Sequence, residues 1–301
     1  MTMTMDDVDL ERRRRFYAEE LEAVVKLRSP HLVDAFSAVP RERFLPEGPW
    51  TVLADSDMSY QMGSGPQRYR TTPDANPARV YHNIAVAIDA SRQLFNGQPG
   101  TLGFWMDQLG LGPGMRVLHI GAGLGYYTAV MAECVGRSGR VVAYEVDETL
   151  ALAARKNLAA YAAVDLRHGD ASAPLDSAFD AVLVNAGVTH PLDAWLDALA
   201  PGGRMTLPIT AAMPAMGSTL GKGVVALVAR QEDGQLLARI VTVVAVYSAE
   251  GVRDPAMNEA IGKALMAGPA RWTAVNRLRR EAHEPAPSCW LHRDSCCFSA
   301  M

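Results

Sequence analysis

The chain has 301 residues, of which 49% are hydrophobic and 21% are charged, so it can form a large core and is not a disordered or collagen-like polymer. A formal net charge of −4 argues against a surface built to neutralise phosphates, and we expect no nucleic-acid partner. Neither an apolar run of ~20 residues nor a secretory signal is present, so we expect no membrane partner and a soluble, cytoplasmic protein.

The first predicted element is an amphipathic helix near residues 9–26. Apolar side chains recur there at helical spacing, at Leu10, Phe16, Tyr17, Leu21, Val24 and Val25. The basic run 12–15 shares this helix with several glutamates, so we interpret it as a solvated face. Residues 46–79 show no clean period and predict a long irregular connection, which could form a lid or part of an acceptor pocket.

From residue 115 onward, short apolar runs alternate with segments of helical period, which is typical of βαβ units and a parallel sheet. The predicted parallel strands are 115–120, 140–146, 164–168, 180–186 and 202–209. Two further strands, 223–230 and 238–248, are joined by a turn too short for a crossover and must pair antiparallel. The predicted fold class is α/β: a Rossmann-like seven-stranded mixed sheet with five parallel strands, a terminal antiparallel hairpin, an N-terminal helical region and a C-terminal extension.

A glycine-rich turn lies where the first of these strands leads into a helix, at Gly121, Gly123 and Gly125. A dinucleotide fingerprint would need glycine at position 126, which is Tyr126, so the spacing is G-x-G-x-G. Glu145 ends the next strand, where a carboxylate can accept both hydroxyls of a ribose. Asp170 follows the third strand and could meet an adenine amino group. Together with the terminal hairpin, these features favour the nucleoside of S-adenosylmethionine.

Each of these residues also has a purely structural interpretation. Gly123 could serve only as a turn residue. Glu145 could instead favour the start of the following helix through the helix dipole. Asp170 could form an Asx turn.

Several short motifs carry a resemblance to a known family. They are Val39-Pro40-Arg41 with Phe44-Leu45-Pro46, Tyr81-His82-Asn83, Gln98-Pro99, the glycine turn, Gly169-Asp170 and Gly202-Gly203. With these pieces in order, the sequence resembles the protein-L-isoaspartate O-methyltransferase family over about residues 35–248. The resemblance implies a class I methyltransferase fold, S-adenosylmethionine as methyl donor, and an acidic side chain or terminus as acceptor.

Two departures from that family concern the acceptor side. Where the family carries T-I-S-x-P, this chain has Gly97 at the serine position, and where the family has Tyr-x-Asp, it has Asn83 at the aspartate position. The hydroxyl and the carboxylate are both absent. We therefore expect a divergent branch with an acceptor other than an isoaspartyl residue.

The glycine turn, the carboxylates and the resemblance together predict the cofactor-binding residues. They are Gln98, His119, Gly121, Ala122, Gly123, Gly125, Tyr126, Glu145, Val146, Gly169, Asp170 and Asn185. His119 stands where related methyltransferases usually carry an acidic residue. It either touches the methionine half of the cofactor or is a buried, hydrogen-bonded core histidine.

His190 and Tyr81 are the predicted catalytic residues, and Asn96 is a further candidate for the acceptor pocket. Methyl transfer from a sulfonium is an in-line displacement, so a carboxylate acceptor on a peptide or small metabolite needs no base. The alternative is an O-, N- or C-methyltransferase of a specialised metabolite that uses His190 as base, unless His190 only fixes a helix start before Pro191. A third hypothesis is a cofactor-binding protein without turnover.

We expect three segments: 1–78 with helix and lid, 79–248 as the catalytic core, and 249–301 as an extension packed on the core. The extension contains His283, Cys289, His292, Cys296 and Cys297. Their spacing matches no standard zinc motif, so we expect no metal. We expect Trp290 and Leu291 to pack this tail on the sheet.

Overall fold

The computed structural model describes residues 5–53, 69–92, 94–212 and 220–300. It divides into two compact units. Unit 1 comprises Met1–Met115 and Ala122–Arg167, and unit 2 comprises Arg116–Gly121 and His168–Met301. The three functional segments expected from the sequence stay a prediction. Among the helices described, none is long and apolar enough to cross a membrane.

The regular elements are numbered in chain order. The helices are α1 (Met5–Val25), α2 (Pro30–Ala38), α3 (Pro99–Leu109), α4 (Tyr126–Val135), α5 (Glu148–Asn157), α6 (Asp193–Asp197), α7 (Met257–Met266) and α8 (Pro269–Thr273). The strands are β1 (Thr51–Leu53), β2 (Tyr69–Thr71), β3 (Ala85–Asp89), β4 (Leu94–Phe95), β5 (Arg116–Ile120), β6 (Arg140–Glu145), β7 (Val164–His168), β8 (Phe179–Val184), β9 (Leu199–Ala212), β10 (Leu220–Arg230), β11 (Leu236–Tyr247), β12 (Arg277–Arg279), β13 (Cys289–Arg293) and β14 (Cys296–Ser299).

Unit 1 begins with the predicted amphipathic helix, but its apolar stripe is narrower than expected. Tyr17 and Leu21 are fully buried, whereas Phe16 and Val24 are 67% and 60% exposed. Successive helix residues differ by about 100° in direction, so Phe16 cannot share the buried face of Tyr17 in full. The helix is confirmed, but Phe16 and Val24 of the predicted apolar stripe are exposed.

The described parts of the segment 46–79, residues 46–53 and 69–79, contain more regular structure than the irregular connection predicted from composition. They contain β1, β2 and a 3₁₀ turn at Pro77–Val80. With β3 and β4 these strands form a small antiparallel sheet in the order β2-β1-β3-β4. Residues 54–68 of the expected lid lie outside the described residues.

Arg41 ties two of the resemblance motifs together inside unit 1. Its side chain is fully buried, and its guanidinium donates to the backbone carbonyls of Val80 at 2.7 Å and Ile84 at 2.7 Å. A third bond reaches the carbonyl of His82 at 3.1 Å. The planar fork of arginine suits several such acceptors at once. Arg41 therefore fixes the segment that carries Tyr81 and Asn83.

Unit 2 contains a mixed sheet whose strands run in the order β13-β14-β12-β11-β10-β9-β8-β5. β5 and β9 pair parallel to β8 on either side. β10 pairs antiparallel with β9 and with β11, as the short turn requires. The α/β class, the mixed sheet and the terminal hairpin are confirmed. The predicted count of seven omitted β12, β13 and β14, because these strands are short and carry no clear alternation.

The C-terminal extension is thus part of the sheet edge as well as packed on unit 2. Trp290 and Leu291 are buried, as expected. The indole of Trp290 donates to the carbonyl of Ala264 in α7 at 3.0 Å and meets the Phe298 ring edge-on, with centroids 6.2 Å apart. The aromatic contact and the strand pairing together anchor the tail.

Candidate functional site

Backbone conformation explains the three glycines of the turn between β5 and α4. Gly121, Gly123 and Gly125 have φ of +86°, +57° and +95°, a region that side-chain-bearing residues rarely adopt. A Cβ on Gly125 would also lie 2.8 Å from Leu158 Cδ1. A Cβ on Gly123 would meet only Ile88 Cδ1, at 3.7 Å. Gly125 therefore serves close packing, whereas Gly123 is needed for its conformation.

Glu145, at the end of β6, holds this turn from within unit 1. Its carboxylate is 6% exposed and accepts hydrogen bonds from the N–H of Gly123 at 2.6 Å and of Asp147 at 3.0 Å. Burial raises the pKa of Glu145, and these two N–H groups oppose that rise. A carboxylate offers about four lone-pair sites. The N–H of Val146 is a third donor to this carboxylate, so capacity remains for a further donor.

The N-cap of α5 is Asp147, not Glu145. Asp147 Oδ1 accepts from the N–H of Leu150 at 3.0 Å, and its other oxygen accepts from Arg92 at 2.5 Å. Sequence reasoning missed Asp147, although an aspartate directly before a helical period is the usual N-cap signal. Asp147 therefore provides the cap that was the structural alternative for Glu145.

In unit 2, Asn185 and His119 lie at the strand ends that precede and flank the turn. The side-chain amide of Asn185 donates to the carbonyl of Gly121 at 3.3 Å, and its backbone N–H donates to that of Ile120 at 2.8 Å. His119 is fully buried on β5 opposite Leu183. Burial lowers the pKa of His119 to about 3, so the imidazole is neutral. This fits the core-histidine alternative, and a contact with cofactor stays a prediction.

Asp170 forms the Asx turn that was the structural alternative for it. Its Oδ1 accepts from the N–H of Ser172 at 2.9 Å, and the hydrogen bonds from Ser172 lower the pKa of Asp170. Ala171, next to it, has φ of +56°, and its carbonyl accepts from the buried Trp195 indole at 2.9 Å. The loop after Gly169 is therefore well fixed, and an adenine contact by Gly169 and Asp170 stays a prediction.

Three other predicted cofactor residues have different surroundings in unit 1. Ala122 is buried, and its N–H donates to the carbonyl of Tyr144 at 3.0 Å. Val146, beside Glu145, is 40% exposed. The side chain of Tyr126 is buried, and its hydroxyl lies 3.2 Å from that of Tyr17. The Tyr126 ring therefore packs in the core of unit 1.

The two departures at the acceptor side have structural counterparts around the start of α3. Asn83 Oδ1 accepts from the N–H of Gly100 at 2.7 Å, and the carbonyl of Asn83 accepts from Gln98 Nε2 at 3.1 Å. Gly97 has φ of +77°, and a Cβ on it would lie 2.8 Å from Leu102 Cδ2. The uncharged side-chain amide of Asn83 thus accepts one of the free N–H groups at the start of α3. The positive φ of Gly97 disfavours a serine at that position.

His190 lies in unit 2 after an extended segment in which Val188 bridges to Ile209. It is 7% exposed, and its Nδ1 is 2.9 Å from Thr189 Oγ1. Burial, with the nearby positive charge of Arg293, lowers the pKa of His190, so the ring is neutral at pH 7. Thr189 Oγ1 already accepts from the N–H of Asp254 at 2.9 Å. A hydroxyl that donates to Nδ1 would leave the ring proton on Nε2.

Tyr81 lies in unit 1 and is 3% exposed. Its hydroxyl donates to the carboxylate of Glu42, and its ring meets Tyr17 edge-on. Burial and the negative charge of Glu42 raise the pKa of Tyr81. The phenol is therefore protonated at neutral pH and can donate a hydrogen bond but not act as a base. Asn96 Oδ1 accepts from the N–H of Val86 at 3.1 Å, whereas Asn96 Nδ2 is buried without a hydrogen-bond partner among the described residues.

Known proteins share both the sequence pattern and the fold. The model of the protein-L-isoaspartate(D-aspartate) O-methyltransferase family matches residues 66–246. A protein-L-isoaspartate O-methyltransferase of Thermotoga maritima is 30% identical over 166 residues, covering 53% of this chain and 44% of the relative. One of Methanopyrus kandleri is 29% identical over 190 residues, covering 62% and 71%. The chain thus spans less than half the length of the first of these relatives.

Solved structures give the same result for the fold. A protein-L-isoaspartate O-methyltransferase is 25% identical, with a TM-score of 0.57 over 88% of this chain and 72% of that chain. A Plasmodium falciparum protein-L-isoaspartate O-methyltransferase in complex with S-adenosyl-L-homocysteine is 16% identical, with a TM-score of 0.57 over 79% of this chain and 98% of that chain. At 16% identity the second likeness concerns fold alone.

His119 makes the stability of the protein depend on pH. Its pKa is about 3 when folded against a reference of 6.5, so below pH 6.5 the unfolded chain binds a proton that the folded chain does not. Stability is therefore lost as pH falls through 6.5, by about 1.4 kcal/mol per pH unit from this residue. In urea unfolding, the slope of the unfolding free energy against pH should be smaller by one proton for His119→Gln than for the wild type. His168→Gln, at an exposed position, is the control. A slope in His119→Gln equal to that of the wild type would contradict this prediction.

Proposed function

Because the chain belongs to the protein-L-isoaspartate(D-aspartate) O-methyltransferase family, we propose that it transfers a methyl group from S-adenosylmethionine to an acceptor. One observation carries the proposal beyond family membership: the buried carboxylate of Glu145 bonds to the N–H of Gly123 and keeps acceptor capacity. The structure of the Plasmodium falciparum relative contains S-adenosyl-L-homocysteine, the product that such a donor leaves.

The described residues suit the donor in three respects. Glu145 retains capacity to accept from the ribose hydroxyls. Gly123 has no side chain, and little fills the space where its Cβ would be, so the backbone there can approach a ligand. Asp170, whose pKa is lowered, is ionised and can accept from an amino group. The donor supplies a methyl group bound to a positively charged sulfur, which makes that methyl electrophilic.

Removal of Glu145 should weaken binding of S-adenosylhomocysteine. Glu145→Ala leaves the ribose hydroxyls without acceptors, at a cost of ~1–3 kcal/mol, or about 5- to 150-fold in Kd. Calorimetry should show this loss, and the variant should no longer discriminate against the 2′-deoxy analogue. Glu148→Ala, an exposed carboxylate at the start of α5, is the matched control and should bind normally. Equal affinity of wild type and Glu145→Ala would sink the ribose assignment.

For the acceptor, we propose a carboxylate on a peptide or small metabolite other than an isoaspartyl residue. Support comes from Asn83 and Gly97, which replace the carboxylate and hydroxyl of the family motif. Asn83 is committed to the N–H of Gly100, and the backbone at Gly97 is left-handed. The local hydrogen bonding and backbone conformation therefore favour asparagine at position 83 and glycine at position 97.

The chain should esterify a standard isoaspartyl peptide poorly. Gly97→Ser should not restore that activity, because serine at φ of +77° is strained and its Cβ would lie 2.8 Å from Leu102 Cδ2. Release of methanol from base-labile methyl ester is the measurement. The Thermotoga maritima relative is the positive control. Robust wild-type esterification of the peptide would overturn the acceptor proposal and leave the methyltransferase proposal intact.

The chemistry asks little of the protein beyond alignment. A carboxylate is ionised at neutral pH and attacks the methyl in line without a base. The neutral imidazole of His190 is a hydrogen-bond donor that could orient such an acceptor. The single phenolic proton of Tyr81 is already donated to Glu42. A second candidate, in which His190 deprotonates a hydroxyl or amine acceptor, requires the other tautomer. The proton then lies on Nδ1 and is donated to Thr189 Oγ1, 2.9 Å away, and Nε2 carries the lone pair.

The pH profile separates these two roles of His190. A histidine base works when neutral, so the rate would rise with pH through a pKa below 6.5 and then level off. Loss of that base in His190→Ala would cost ~10²–10⁴ in turnover. For the carboxylate acceptor we expect no such step and near-normal turnover in His190→Gln, with His168→Gln as control. A step that disappears in both His190 variants would favour the base.

A further inference from the structure

Four side chains of the C-terminal extension converge in unit 2. They are His283, Cys289, His292 and Cys297, and one ligand atom from each lies within 4.8 Å of the other three. All four lie beyond residues 66–246, the part matched by the family. The cluster is therefore separate from the segments that carry the proposed methyl transfer.

A bulge in the terminal hairpin explains how these residues meet. Cys289 pairs with Ser299, and His292 pairs with Cys297. Residues three apart in a regular strand point to opposite faces, but the register shifts between Cys289 and Leu291. One extra residue, Trp290, therefore turns Cys289 to the face of His292. On β14, Cys297 and Ser299 share that same face because they are two apart.

His283 is oriented as metal-bound histidines usually are. His283 Nδ1 lies 2.8 Å from the carbonyl of Glu281, which fixes the proton on Nδ1 and leaves Nε2 with its lone pair. That Nε2 is 3.5 Å from Cys289 Sγ. In metal-bound histidines, the ring N–H that does not face the metal commonly donates to a carbonyl in this way and orients the ring. His292 Nδ1 is buried and has no hydrogen-bond partner among the described residues.

The two sulfurs lie close to each other, and one of them also accepts from a backbone N–H. The N–H of Ala286 donates to Cys289 Sγ at 3.4 Å. Cys297 is fully buried. Its sulfur hydrogen-bonds with Cys289 Sγ and makes a long contact of 3.8 Å to the carbonyl of Phe298. Two thiolates, two neutral imidazoles and a divalent cation sum to zero charge, so a half-buried site would carry no net charge.

We propose that His283, Cys289, His292 and Cys297 bind a Zn²⁺ ion in a tetrahedral Cys₂His₂ site. Bonds of ~2.0–2.3 Å require ligand atoms ~3.3–3.8 Å apart, and the His283–Cys289 distance of 3.5 Å falls in that range. Thiolate with imidazole in four-fold coordination selects zinc. With four protein ligands the site is closed, so its role is structural: it clamps the segment before β13 to the hairpin.

This inference reverses the sequence-based expectation of no metal. That expectation rested on the spacing from Cys289 to Cys297, which matches no standard zinc motif. The bulge at Trp290 breaks the regular alternation of β13, and His283 joins from a loop outside the hairpin. Spacing alone therefore could not identify the set.

The test measures metal in the purified full-length chain under reducing conditions. After chelation and reloading, we expect one equivalent of Zn²⁺. Co²⁺ should give the strong visible bands of a tetrahedral ion with charge transfer from two thiolates. Cys289→Ser and Cys297→Ser should lose the binding. Cys296→Ala is the matched control, because Cys296 is buried next to Cys297 but lies on the other face of β14, and it should keep one equivalent.

Three results would overturn the proposal. The first is no stoichiometric Zn²⁺ or Co²⁺ binding by wild-type chain with its thiols reduced. The second is binding that survives Cys289→Ser and Cys297→Ser. The third is a Cys289–Cys297 disulfide, seen as a mass lower by two hydrogens, that persists under the reducing conditions. The wild-type Co²⁺ spectrum reports the thiolate count directly, so the test stands even if a variant folds poorly.

Discussion

The carboxylate of Glu145 is buried at the end of β6, and backbone N–H groups of Gly123 and Asp147 donate to it at 2.6 and 3.0 Å. A buried negative charge must be hydrogen-bonded to be tolerated, so the turn has to present the N–H of Gly123 towards it. That requirement sets φ of Gly123 at +57°, where glycine is favoured. The start of α4 follows from this turn, and the start of α5 follows from Asp147 as its N-cap. The Glu145 carboxylate thus holds the turn before α4 and, through the N–H of Asp147, the N-cap residue of α5.

Sequence alone predicted the parts of the fold that depend on long, regular patterns. The predicted strand 164–168 is observed as Val164–His168, and the hairpin β10–β11 follows from a turn too short for a crossover. Features that depend on contacts between residues distant in the sequence were missed or wrongly predicted. Phe16 fits a helical stripe yet is 67% exposed, because burial depends on which neighbours pack against the helix. The strand β12 has three residues, too few for any periodicity.

The candidate site was predicted unevenly for similar reasons. The glycines and Glu145 stand out because local backbone geometry demands those residue types. The roles of Asn83 and Arg41 were not visible, since each depends on a contact far along the chain: Asn83 with Gly100, and Arg41 with Val80 and Ile84. The set of His283, Cys289, His292 and Cys297 was hidden by a one-residue bulge. Short-range patterns reveal the cofactor side, whereas specificity and the tail depend on long-range contacts.

A crystal structure of the full chain with S-adenosylhomocysteine tests the central claim most directly. The account predicts both ribose hydroxyls within hydrogen-bonding distance of the Glu145 carboxylate, while the N–H of Gly123 still donates to that carboxylate. A ligand whose ribose lies away from Glu145, or a Glu145 side chain turned out of the turn when ligand is bound, would contradict it.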